Sequence, residues 1–167
     1  MIDMLQEGIE QERERRQSQD DVNEQLSHYF WQLDREGSRL LTFSTIIRDD
    51  PEMHPAQCRA AIRALSTLRT LCAQAREFLN TLHPQVTQRV KPYGCITKLA
   101  TLDYRLTELI LSLAMFRPIC QRVTMERIRL HLHLRTLVGP ILDAFEDAMS
   151  QLAALMSKEQ AEGRTQL

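Results

Sequence analysis

The chain is poor in the residues that build turns and sheets. Five glycines and six prolines in 167 residues leave too little turn material for a many-stranded sandwich or barrel. Aromatic residues make up only 5%. No long apolar run exists: the longest, Leu109 to Phe116, spans eight residues including Ser112 and is bounded by Glu108 and Arg117. A bilayer-crossing helix needs about 20. The first residues carry Asp3, Glu7, Glu10, Glu12 and Glu14, unlike the basic-then-apolar order of a secretory leader. The four cysteines, Cys58, Cys72, Cys95 and Cys120, contain no C-x-x-C pair, so neither a zinc knuckle nor a thioredoxin-type motif is present. They are expected as reduced thiols in a cytoplasmic protein, with Cys58 and Cys72 packing as small hydrophobes. G-x-S-x-G, P-loop, dinucleotide glycine and H-E-x-x-H patterns are likewise missing, which removes the usual support for hydrolase, nucleotide-binding and zinc-protease readings. No cofactor or metal is expected.

What the chain does have is helical periodicity. Cys58, Ala61, Leu65, Leu68, Cys72, Ala75, Leu79 and Leu82 follow a 3-4 spacing for four heptads, with Ile62, Leu71 and Phe78 as a second flank. Pro55 suits the first turn of this helix and Pro84 ends it. Residues 21–48 repeat Leu26, Tyr29, Phe30, Leu33, Leu40, Phe43 and Ile47, and Gly37 inside them costs about 1 kcal/mol relative to Ala. Residues 96–116 carry two apolar stripes, one of Ile96, Leu99, Leu106, Ile110 and Leu113, the other of Leu102, Leu109 and Phe116. That breadth marks the most buried helix. The stretch 83–95, with Pro84, Pro92 and Gly94, reads as a surface loop.

Residues 127–135 alternate as Arg-Ile-Arg-Leu-His-Leu-His-Leu-Arg. Alternation is a strand pattern, but no other segment offers a partner strand. A helix over 118–138 is therefore expected, with Ile119, Val123, Leu130, Leu134 and Leu137 on one face and Ile128 and Leu132 opposite. Gly139-Pro140 is expected to close it and open a last helix, where Leu142, Phe145, Met149, Leu152 and Met156 share a face. Met125, Met149 and Met156 read as core fillers. The result is an all-α, antiparallel up-and-down bundle of about five to six helices. It divides into a charged extension or short helix at 1–20, one bundle domain at 21–158 and a frayed polar tail at 159–167.

Charge is segregated. Residues 1–52 hold 13 acids and 6 bases, residues 53–140 hold 4 acids and 13 bases, and residues 141–167 hold 5 acids and 2 bases. Arginine outnumbers lysine 18 to 3, which favours forked ion pairs and planar stacking. Arg59, Arg63, Arg69 and Arg76 on one helix, with Arg127, Arg129 and Arg135 on another, form a candidate basic face for a partner. An acidic protein surface fits a chain of net charge −1 better than nucleic acid does, although an arginine face can also hold phosphate.

His131 and His133 lie about 200° apart on a helix, so one metal cannot take both, and a surface or interface role is expected for each. Arg127 and His133, separated by five residues, resemble the Arg-x4–6-His motif of the HEPN ribonucleases. Those are small helical bundles that dimerise to pair two such motifs. The resemblance implies metal-independent RNA cleavage, with His133 as acid or base and Arg127 stabilising phosphate charge. It covers two residues, and Ile128 follows the arginine where that family usually has a polar residue.

Three functions follow, in order. The first is a non-catalytic helical interaction protein, an adaptor, chaperone-like factor or regulator that self-associates, recognises an acidic protein surface and has no membrane contact. The second is a nucleic-acid-binding regulator using the arginine face. The third is a HEPN-like ribonuclease.

Overall fold

Leu26, Leu33, Leu40 and Ile47 recur every seven residues, and each is 2% exposed or less. This spacing holds one side of a helix against a core over several turns. In the computed structural model, which describes residues 2–82 and 93–165, they belong to helix α1, Ile2–Asp49. The segment expected as a charged extension or short helix is helical, and it is continuous with the rest of α1. Residues 3–14 are exposed, and the first fully buried side chain among the described residues is Leu26. The part of α1 before Val22 thus projects beyond the core by about 30 Å, at 1.5 Å per residue.

Helix α2, Pro55–Thr81, buries the expected seam of Cys58, Ala61, Leu65, Leu68, Cys72, Ala75 and Leu79. Its entry is tight: the His54 N–H donates to Gln57 Oε1 at 2.9 Å, half of a capping box, and Pro55 opens the first turn. The expected loop at 83–95 lies outside the described residues up to position 92. Helix α3, Tyr93–Phe116, buries Cys95, Leu99, Leu102, Leu106, Leu109, Leu113 and Phe116. Both of its expected stripes therefore face the core, with Ile96 and Ile110 partly buried at its edge.

The expected helix at 118–138 begins later. Arg117–Ile119 is a 3-10 turn, and α4 runs from Met125 to Thr165. Its first turn is capped by Thr124, whose Oγ1 accepts the Arg127 N–H at 3.2 Å. The alternating stretch is helical, and Val123 and Met125, expected inside, are 92% and 64% exposed.

Nor does Gly139-Pro140 break the chain: Pro140 lies inside α4. Proline removes one N–H, here the one owed to the Thr136 carbonyl. Both residues are exposed, so water can take that bond, while Val138 and Ile141 on either side are buried. The expected stripe of Leu142, Phe145, Met149 and Met156 is only partly buried. The seam is instead Leu134, Val138, Ile141, Ala144, Ala148, Leu152 and Leu155. The tail expected to fray from Glu159 is helical in its backbone to Thr165.

The helices close a ring in which α1 packs on α2, α2 on α3, α3 on α4 and α4 on α1. Neighbours run antiparallel. Gly37 meets Phe145 while Ile47 meets His131; likewise Lys98 meets Asp147 while Phe116 meets His131. Among the described residues the fold is an all-α up-and-down bundle of five helical elements, counting the 3-10 turn, with no strand. No described helix is long and apolar enough to cross a membrane.

Candidate interaction surfaces

The seven arginines of the expected basic face fall in separate places. Arg69 and Arg76 point across the α2–α3 seam, because both lie on the side of α2 that faces Asp103. Arg69 Nε donates to Asp103 Oδ1 at 2.8 Å and Arg76 Nη1 to Oδ2 at 3.2 Å. One carboxylate thus ties down two guanidiniums beside a shallow cavity of about 350 Å³ lined by Ser66, Thr70, Ala73 and Glu77. These two arginines are part of the bundle's own electrostatics.

Arg127 is also engaged. It is half-buried, and its Nη1 donates to the Pro51 carbonyl at 2.7 Å, joining the start of α4 to the α1–α2 link. Four arginines of the seven remain open. Arg59 and Arg63 are exposed on α2, Arg129 and Arg135 on α4, and no ion pair engages them among the described residues. The helices carrying these two pairs stand diagonally across the ring, so they do not form one continuous face.

The link end of the bundle adds basic residues that periodicity could not flag, since they lie in turns. Arg117 and Arg122 are exposed there. Arg122 and Arg127 line a cavity of about 260 Å³ with Glu52, His54, Cys120 and Gln121, and the Gln121 amide lies 3.2 Å from His54 Nδ1. The composition of 117–135, five arginines against one glutamate, is the available signal. The opposite end carries the acidic part of α1.

The two histidines separate. His131 is 6% exposed, and its Nε2 donates to the Ile47 carbonyl at 2.9 Å, with Phe116 beside the ring. The surface or interface role expected for it gives way to a satisfied core role, because α1 covers that flank of α4. His133 is exposed. Six residues place Arg127 and His133 about 120° apart on α4, and the half-buried Arg127 guanidinium is held at the Pro51 carbonyl, so one chain does not bring the two together.

All four cysteines are free and buried. Burial, reinforced by the neighbouring Cys120, pushes the Cys58 thiol up to about 12. Burial and then the Asp103 charge push Cys72 up to about 12, and burial alone takes Cys95 to about 11. Thiols held protonated in this way are poor nucleophiles. Among the described residues no group of three His, Cys, Asp or Glu side chains could hold a metal. Comparison with family models, curated proteins and solved structures finds no match for the chain.

Proposed function

We propose that this chain is a non-catalytic helical interaction protein, an adaptor or regulator that self-associates and recognises an acidic surface on a protein partner. The observation that carries this reading is the set of exposed arginines with no carboxylate in ion-pair range among the described residues: Arg59, Arg63, Arg129 and Arg135. Arginine forks on a rigid helix read carboxylates with defined geometry, and patches of this kind set partner choice and encounter rate more than raw affinity. Exposed apolar side chains on the same scaffold, including Leu111, Met115, Ile128 and Leu132, support association. A cytoplasmic setting suits four unpaired thiols.

The test is affinity purification of the tagged full chain from its native host, with mass spectrometry and the ultraviolet absorbance ratio of the eluate. A stoichiometric acidic protein is expected, lost when Arg129 and Arg135 are both changed to Glu. An eluate carrying nucleic acid, with no protein partner, would decide for the nucleic-acid reading instead.

A further inference from the structure

Two of the four buried cysteines touch. Cys58 lies in the first turns of α2, where its N–H donates to the His54 carbonyl at 3.1 Å. The His54 ring places Nδ1 3.2 Å from the Gln121 amide and shares a cavity with Cys120. His54 thus draws the entry of α2 toward the turn before α4, although Cys58 and Cys120 are 62 residues apart in the chain. The Cys58 thiol is hydrogen-bonded to the Cys120 side chain. The Cys120 thiol in turn donates to the Arg117 carbonyl at 3.2 Å. Cys72 has Asp103 and Arg76 near it instead, and among the described residues no cysteine acts on Cys95.

We infer that Cys58 and Cys120 form a reversible disulfide when the chain meets a two-electron oxidant such as hydrogen peroxide, fastening the first turns of α2 to the turn between α3 and α4. This is a modification site separate from the arginine surfaces, and it stands apart from the partner recognition proposed above.

The geometry suits the bond. A disulfide needs sulfurs about 2.05 Å apart and Cβ atoms about 3.5–4.5 Å apart, so side chains already in thiol contact close by a small adjustment. Cys58 is held in a helix, whereas Cys120 lies in the non-helical turn that follows Arg117–Ile119. The adjustment therefore falls to Cys120. It is also the cysteine that an oxidant reaches, because it lines the cavity of about 260 Å³ with Arg122, Arg127 and Gln121, while Cys58 is fully buried.

The chemistry balances in two steps. Cys120 Sγ attacks one peroxide oxygen, the O–O bond breaks, and the departing hydroxide takes the thiol proton as water. Cys58 Sγ then attacks the sulfenic sulfur so formed, the S–O bond breaks, and the hydroxide leaves as water with the Cys58 proton. Two thiols lose one electron each, and the peroxide gains two. Cys58 is a weak nucleophile, but contact with the sulfenic sulfur supplies the proximity that its basicity does not.

The test uses the full chain, exposed overnight to excess hydrogen peroxide, quenched with catalase and then unfolded in guanidinium with iodoacetamide. Cys72 and Cys95 should be alkylated, while the Cys58 and Cys120 peptides should appear joined in a non-reducing digest. Intact mass should show the loss of two hydrogens, and a reductant should restore all four thiols. The cross-linked chain should melt several degrees higher than the reduced one, because the bond closes a long loop in the unfolded state. Cys58→Ala should abolish the cross-link and send Cys120 on to sulfinic acid, and Cys72→Ala should leave the cross-link intact. Four thiols surviving the oxidant, Cys120 reaching sulfinic acid in the parent while Cys58 stays free, or any other pairing would each overturn the site.

Discussion

The ring of Phe145 on α4 occupies the space that a Cβ at Gly37 of α1 would need. A methyl built there would lie 2.6 Å from the ring's Cε1, with Cζ closer still. Gly37 therefore acts as a notch for Phe145, and its poor helix propensity is offset by that packing. Gly37→Ala should gain about 1 kcal/mol of helix propensity and lose about 1–3 kcal/mol to overpacking, a net destabilisation in urea titration. In a Phe145→Ala background the same change should become neutral or stabilising. Destabilisation of equal size in both backgrounds would mean that Phe145 is not what position 37 accommodates.

Leu65 and Leu68 are each 1% exposed in the middle of the α2 seam. Leu65→Asp or Leu68→Asp places an unpaired carboxylate there, which costs several kcal/mol out of a total of about 5–15. Neither variant should show a cooperative melt. A transition near the parent temperature would show that this seam is not in the core.

Much of the core is legible from spacing alone, and the misses have physical causes. The α2 seam is readable because core-facing residues mark it without interruption. On α4 the bulky residues Leu142, Phe145 and Met149 draw the expected face to the flank. The helix actually approaches its neighbours along Ala144 and Ala148, where small side chains permit contact. Gly139-Pro140 looks like a terminus because sequence cannot show that Thr136 and Pro140 lie on the exposed side of α4. The basic face is overcounted for a different reason. Asp103 is 34 residues from Arg69 in the chain, and only the packing of α3 on α2 brings them together. His131 similarly gives no sign that the Ile47 carbonyl, 84 residues earlier, fixes it in the core.

That shared carboxylate gives a prediction linking stability to binding. Asp103→Asn should cost about 1 kcal/mol, since both ion pairs are partly exposed and pairs of this kind are screened by solvent. It also frees Arg69 and Arg76. Affinity for an acidic polypeptide such as polyglutamate should then rise, with a steeper salt dependence. A loss of stability with no gain in binding would mean that the α2–α3 groove is closed to partners.

The thiols set a stability limit on the alkaline side. Cys58, Cys72 and Cys95 are raised from an ordinary value of 9.0 to about 12, 12 and 11. Between these limits the unfolded chain has released thiol protons that the folded chain still holds. The unfolded state then binds fewer protons, so stability falls as pH rises. The contribution is complete below about pH 9 and is lost progressively as pH climbs through 11 to 12. Melting temperature should decline above pH 9, and Cys95→Ala should shallow that decline. Thiol reagents at neutral pH should label no cysteine until the bundle unfolds; rapid labelling of the folded protein would contradict the burial.

The projecting part of α1 supplies the last prediction. Residues 3–14 are exposed and the core starts beyond them, so deletion of residues 1–20 removes no fully buried side chain among the described residues. Asp20 is lost, but Asp21 and Glu24 remain near the new helix start, where negative charge is favourable. The truncated chain should therefore fold with stability within about 0.5 kcal/mol of the parent, as is usual for changes away from the core. What changes is the electrostatic balance. The removed segment is acidic, the retained 53–140 segment holds 13 bases against 4 acids, and Arg59, Arg63, Arg129 and Arg135 are already open. The truncated protein should bind heparin or an acidic polypeptide more tightly than the full chain at low salt, and added salt should erase the difference. If the truncated chain unfolds, then Met4, Leu5 and Ile9 are covered by packing that the fold depends on. If it folds and binds polyanions no better, the acidic end of α1 does not temper the arginines. The charge separation would then serve partner orientation alone.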